Sequence, residues 1–229
     1  MSEETFRKSL ASHLNLMTRI SRDDVFGDAD SSYRPRNLPE DNATMFAGYI
    51  GRDYTPGKGL VLLAINPGGG GDAYTRRIPE DEVFYPQLIA FKNAQGSDVL
   101  PAFEAVNEAF VPIVKGWNLW RILKPTLDAA EAGIEEVAYM NVVPYRTRED
   151  KMPPVAARRT AWSEIIQPTL ELLTPRAIIT LGKKAGTVVD ALSQSDLLNY
   201  CVPRTIGDSY VSDGAVEMHA RIRAELGTR

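Results

Sequence analysis

Leu60-Val-Leu-Leu-Ala-Ile-Asn66-Pro-Gly-Gly-Gly-Gly-Asp72 decides how the rest of the chain reads. Six apolar residues without alternation describe a strand buried on both faces, and the Asn-Pro-Gly run describes a turn that approaches something closely. In open α/β sheets ligands bind beyond the carboxyl ends of the strands, so Asn66, Pro67, Gly68 and Gly69 are the first candidates for chemistry. Glycine there allows a backbone approach that a Cβ would block. The same stretch reads equally well as a flexible strand-to-helix loop.

The chain has 229 residues, 44% hydrophobic and 24% charged, which suits one soluble domain able to bury a full core. We read residues 1–229 as a single domain, with 1–57 a helical and irregular N-terminal segment packed on it. The first ten residues include Glu3, Glu4, Arg7 and Lys8 and no apolar leader, and no later run reaches membrane-spanning length. A cytoplasmic monomer with no membrane partner is the expectation. One cysteine, Cys201, and two histidines, His13 and His219, leave no disulfide framework and no multi-cysteine or histidine-rich metal site, so no metal or cofactor is expected. The net charge is -4, but Asn141 to Lys184 holds eight Lys/Arg against four Asp/Glu, so the segment is +4 and the remainder -8. One basic face fits a nucleic acid. Solvated surface charge is the commoner outcome of so modest an excess.

Outward from the first strand, Phe6, Leu10, Leu14 and Met17 have the spacing of an amphipathic helix over Thr5 to Arg19. Ser21 to Asn42 reads as an irregular surface segment, and Asn42 or Thr44 as the cap of a short helix through Ile50. The Gly57-Lys58 pair is no phosphate loop, because Gly59 stands where Ser or Thr is needed and the pair precedes the strand. Helices are expected from Pro79, from Pro101 to Val111, from Trp117 to Glu131, from Pro154 to Leu173 and from Gly214 to Leu226, with Trp117, Trp120 and Leu123 in the core. Further strands are expected at Val137 to Val143, Ala177 to Leu181 and Tyr200 to Ile206. Alternating strands and helices imply an α/β three-layer sandwich around a four-stranded parallel sheet.

Parallel strands gather Asn66, Asn141, Gly182 and Gly207 on one edge. An asparagine amide offers a donor and an acceptor, which suits a nucleobase edge or a positioned water. A lone asparagine more often closes its own strand by bonding local backbone.

Ala64-Ile-Asn-Pro-Gly68 resembles the first motif of the uracil-DNA glycosylase superfamily, closest to the mismatch-specific and single-strand-selective members. Val137-Ala-Tyr-Met-Asn-Val-Val-Pro-Tyr-Arg146 is similar to the second strand of the iron-sulfur members, and Ile178-Ile-Thr-Leu-Gly-Lys-Lys-Ala185 continues their order. The resemblance covers roughly residues 58 to 226 and implies a uracil-DNA glycosylase-like fold that excises uracil or a related base from DNA.

Carried over by position, Asn66 would be catalytic, holding the water that attacks the sugar. Pro67, Gly68 and Gly69 would line the base pocket, Phe84 or Tyr85 would stack on the base, and Asn141 would pair with it. Gly207 and Ser209 fall at the third motif, and Arg146, Arg148, Lys183, Lys184 and Arg204 would meet phosphates. Base flipping gives such a pocket its logic, and the oxocarbenium-like transition state needs a stabilised leaving base. Three features depart from the family: Ala64 replaces a glycine, the cluster cysteines are absent, and Gly207 replaces the third-motif histidine. Removing one such donor costs about 10² to 10³ in rate in other enzymes.

Two functions follow. One is a DNA glycosylase-like hydrolase of the N-glycosidic bond acting on single- or double-stranded DNA. The other is a binding module, catalytically impaired, for a nucleobase-containing ligand or single-stranded nucleic acid. A phosphate hydrolase built on Gly68 to Gly71 is a weaker third.

Overall fold

The apolar run at residues 60–64 lies at the centre of a sheet. The structure, a computed structural model, describes residues 2–36, 45–46, 48–68, 79–193, 197–204 and 211–227. Among these, the strands are β1 (Tyr49–Ile50), β2 (Leu60–Ala64), β3 (Val137–Asn141), β4 (Ala177–Leu181) and β5 (Asn199–Val202). The helices are α1 (Glu3–Met17), α2 (Arg22–Phe26), α3 (Asp30–Tyr33), α4 (Pro79–Asn93), α5 (Val99–Gly116), α6 (Trp120–Ala129), α7 (Val155–Ala161), α8 (Gln167–Leu173), α9 (Lys183–Leu192) and α10 (Asp213–Leu226).

The sheet order is β1-β3-β2-β4-β5. β3, β2, β4 and β5 run parallel, with Leu62 beside both Tyr139 and Ile179, and β1 joins β3 antiparallel. Every residue of β2, β3 and β4 is buried, which is why these strands lack alternation. Leu62 and Leu63 are fully buried, and such a side chain contributes about 1.5–3 kcal/mol.

Helices cover both faces, as right-handed crossovers require. On one face Tyr139 stacks on Phe110 of α5, with centroids 5.5 Å apart, and the Tyr200 hydroxyl donates to Glu225 of α10 at 2.8 Å. On the other, Gly186 of α9 packs so tightly on Cys201 that an added Cβ would lie 2.6 Å from its sulfur. No helix among the described residues is long and apolar enough to cross a membrane.

The structure corrects four expectations. The sheet has a fifth, antiparallel edge strand, and Tyr49–Ile50, expected to end a helix, forms it. Asn107 accepts the Ile50 amide at 2.9 Å and Arg7 donates to the Ile50 and Gly51 carbonyls, so long-range side chains fix this two-residue strand. The segment after Ser21 is not irregular at its start, since a Ser21–Asp24 capping box opens α2 and α3 follows. Two of its charges are internal: the buried Arg22 pairs with the buried Asp30 and donates to the Arg146 carbonyl at 2.6 Å. The helix expected from Pro154 to Leu173 is split by a π turn at Trp162–Ile166. Pro168 cannot donate to the carbonyl four residues back, and its ring crowds that carbonyl, so the turn before it widens. Finally, Trp117 and Trp120 are half-buried and pack against the core from its margin.

Both histidines are tied to helical threonines. His13 Nε2 lies 3.0 Å from Thr169 Oγ1, and His219 Nε2 lies 3.0 Å from Thr126 Oγ1. Each threonine hydroxyl donates to the carbonyl one turn back, Ile165 at 2.6 Å and Ile122 at 2.7 Å, so each histidine nitrogen is the donor. Burial pulls both imidazoles below their ordinary value of 6.5. The unfolded chain therefore takes up protons first. Their contribution to stability is fully present above about pH 6.5 and is lost as pH falls through the lower folded values. Melting temperature should fall between pH 7.5 and 5.5, by less in a His13→Gln/His219→Gln variant; equal slopes would contradict this.

Candidate functional site

β2 and β3 are neighbours, and their carboxyl ends stay joined beyond the strands. Ala64 stands beside Asn141, the Val142 amide donates to the Ala64 carbonyl at 2.8 Å, and the Val143 amide donates to the Ile65 carbonyl at 2.9 Å. Asn66 and Asn141 are thereby held at one edge by backbone pairing.

Asn66 is oriented by its neighbours. Its Nδ2 donates to Thr147 Oγ1 at 3.0 Å and to the Pro67 carbonyl at 3.1 Å. The Thr147 hydroxyl spends its proton on the Lys151 carbonyl at 2.6 Å, so it can only accept from Asn66. That order fixes the amide with Oδ1 turned away from Thr147. Thr147 is fully buried, which stiffens the arrangement.

Asn141 is 2% exposed, and its Oδ1 is buried with no hydrogen-bond partner among the described residues. An unsatisfied buried acceptor costs about 1–3 kcal/mol, a cost that a ligand N–H removes. Tyr139, two residues earlier on the same face, has its phenol pushed up by burial. The Arg204 charge and the Asn141 amide oppose that shift, as expected if the amide N–H side faces the phenol oxygen. The acceptor end of Asn141 is then left for something else.

The next two strand ends complete the edge. Gly182 follows β4 with φ +106°, a conformation suited to glycine, and the Arg204 side chain lies across it, with Nε 3.4 Å from where a Cβ would sit. Arg204 pairs with Val211, across the segment between them in sequence, in an isolated antiparallel bridge. Gly207 and Ser209 belong to that segment and, like Gly69, lie outside the described residues.

The remaining candidates separate. Phe84 is 4% exposed and locked among Phe46, Tyr85 and Phe110, with centroids 5.6 to 5.9 Å away, so it is a core residue with no free face for a base. Tyr85 is buried too, and the Arg146 guanidinium stands 5.3 Å from its ring centroid, joining α4 to the loop after β3. Arg146 is 7% exposed, and Arg148 donates to the Arg34 and Ser31 carbonyls at 3.2 Å. Lys183, Lys184 and Arg204 are exposed, leaving them the accessible cations of the five at this edge. Pro67 and Gly68 follow Asn66 at the rim, and no described residue lies within 4 Å of where a Gly68 Cβ would be.

Thr147 and Tyr139 are participants to which sequence reasoning gave no role. Tyr139 was within reach, because strand periodicity puts residue i-2 on the face of Asn141. Thr147 was not, since its link to Asn66 spans 81 residues of chain.

Among the described residues, no group of His, Cys, Asp and Glu is arranged to hold a metal ion. No protein-family model and no curated protein sequence matches the chain.

Proposed function

We propose that this chain recognises a flipped nucleobase at the carboxyl edge of its sheet and hydrolyses the N-glycosidic bond, as uracil-DNA glycosylases do. One observation carries the reading: two asparagines at the ends of adjacent parallel strands, one oriented by a buried threonine and the other holding a buried acceptor with no partner among the described residues. The parallel order β3-β2-β4-β5 and the resemblance of Ala64 to Gly68 support it.

Asn66 Oδ1 would accept a hydrogen bond from the attacking water, placing its oxygen at the sugar carbon. Asn141 Oδ1 would accept an N–H from the base edge, and the exposed Lys183, Lys184 and Arg204 would meet phosphates of the strand. The Arg204 charge beside Tyr139 favours negative charge accumulating on a leaving base.

The test is strand cleavage at abasic sites after incubation with single-stranded and duplex oligonucleotides carrying uracil, hypoxanthine or xanthine. Product from at least one substrate is expected. Absence of product from all of them, with binding retained, would leave the second reading, a nucleobase or single-strand binding module, which the glycine at position 207 favours.

A finer prediction concerns Tyr139. An acceptor aimed at the base selects a partner with a ring N–H, such as uracil, over cytosine, which presents an acceptor there. Tyr139→Phe keeps the stack on Phe110 but frees the Asn141 amide to turn over. Discrimination between uracil and cytosine oligonucleotides should fall about tenfold, within the 1–3 kcal/mol of a base-edge contact. Unchanged discrimination would remove Tyr139 from the site.

A further inference from the structure

A second site lies where the end of α1 runs into α2. A cavity of about 200 Å³ is walled there by Arg19, Arg22, Arg34 and Lys92, with Asp23 the one carboxylate among the described residues that line it; neither Asn66 nor Asn141 lines it. Counting Asp30, which pairs with both Arg22 and Arg34, four cations meet two anions among the described residues that line the cavity or pair with its lining, an excess of two positive charges. Arg34 also pairs with Asp23 at 3.1 Å, whereas Arg19 and Lys92 have no ion pair among the described residues. The Arg19, Arg34 and Lys92 heads are exposed at the mouth.

Arg22 forms the back of this site. Its side chain is 6% exposed, its guanidinium lies 4.3 Å from the Phe26 ring centroid, and Nη2 is buried without a hydrogen-bond partner among the described residues. A charge in such apolar surroundings is weakly screened, so its field reaches the cavity. Burial pulls this guanidinium below its ordinary value even with Asp30 beside it, so added negative charge nearby is favourable.

We propose that this cavity binds a phosphate group. A compact anion bearing one to two charges matches the excess, and guanidinium and ammonium heads are its usual partners. Two sources share that chemistry, a phosphate of a nucleic-acid strand and a free phosphate or phosphomonoester. The cavity shares the loop after β3 with the candidate base site, for Tyr145 lines it and Arg22 holds the Arg146 carbonyl, one residue before Thr147. A strand whose base entered the edge pocket would thus have a neighbouring phosphate within reach. The site rests on its own charges and stands whether or not Asn66 is catalytic.

The test compares the full chain with Arg19→Glu/Lys92→Glu, and with Arg19→Met/Lys92→Met in case charge reversal impairs folding. Pyrophosphate, against chloride at matched ionic strength, should raise the melting temperature of the parent and not of the variants. A single-stranded oligonucleotide without any modified base should bind the parent more tightly than the variants. If one strand phosphate is held there, the slope of log affinity against log salt should drop by about 0.7. Loss of the pyrophosphate effect with oligonucleotide binding unchanged assigns the site to free phosphates, and loss of both assigns it to a strand. Equal pyrophosphate stabilisation of parent and folded variants, or none in the parent together with unchanged oligonucleotide binding in the variants, would overturn the proposal.

Discussion

Asn66→Ala should lower base excision by at least about 10² to 10³ while leaving oligonucleotide affinity nearly intact. The reason is where the interaction acts. A water held against the sugar carbon is stabilised mainly in the transition state, so its loss appears in turnover and little in binding. Because Thr147 Oγ1 accepts from the Asn66 amide and donates to the Lys151 carbonyl, the orientation of Asn66 is inherited from the loop after β3. Thr147→Val should therefore reduce turnover in the same direction by a smaller factor, and Thr147→Ser should restore it. Single-turnover rates and separate affinity measurements check both. Excision that survives in Asn66→Ala at the parent rate would remove Asn66 from the chemistry, whatever the ligand.

The second large effect is on stability. Gly51 follows β1 directly, and a Cβ built there would lie 2.1 Å from the Glu135 carbonyl oxygen and 2.3 Å from its carbon. These are backbone atoms, so no rotamer change relieves the clash. The Gly51 amide donates to the Val137 carbonyl at 2.9 Å, and its carbonyl accepts from Arg7 of α1 at 2.9 Å, so pushing the chain away loosens both the edge strand and the helix. Gly51→Ala should cost about 3 kcal/mol or more, at the upper end of what overpacking does. Urea unfolding of parent and variant measures it. A loss below about 1 kcal/mol would show that β1 yields freely and contributes little to the sheet.

How legible these features were depends on how local their causes are. β4 is delimited by its own residues, a mainly apolar run between Arg176 and Gly182, and it appears with the expected bounds, Ala177–Leu181. β2 likewise begins at Leu60, as its composition implies. β1 was illegible because two residues carry no periodicity. Its strand state comes from Asn107 and Arg7, distant in sequence. Arg22 and Asp30 looked like surface charge because nothing local says that Phe26 and Tyr145 enclose the guanidinium.

The site divides in the same way. A polar residue ending a buried strand is conspicuous, which picked out Asn66 and Asn141. Which way the Asn66 amide points depends on Thr147, and only three-dimensional placement supplies that. Phe84 fitted the pattern of an aromatic following the glycine turn, yet the ring belongs to a cluster in which Phe46, Phe110 and Tyr139 are its neighbours or theirs.

The claim that a nucleobase is read between Asn66 and Asn141 is tested most directly by a crystal structure with a single-stranded oligonucleotide carrying 2′-fluoro-2′-deoxyuridine. The fluorine slows cleavage by disfavouring positive charge on the sugar, so the bound base stays in place. The account predicts uracil at the carboxyl edge of β2 and β3, with its ring N–H within hydrogen-bond distance of Asn141 Oδ1 and the sugar carbon facing Asn66. An ordered strand whose uracil lies away from both asparagines would contradict it.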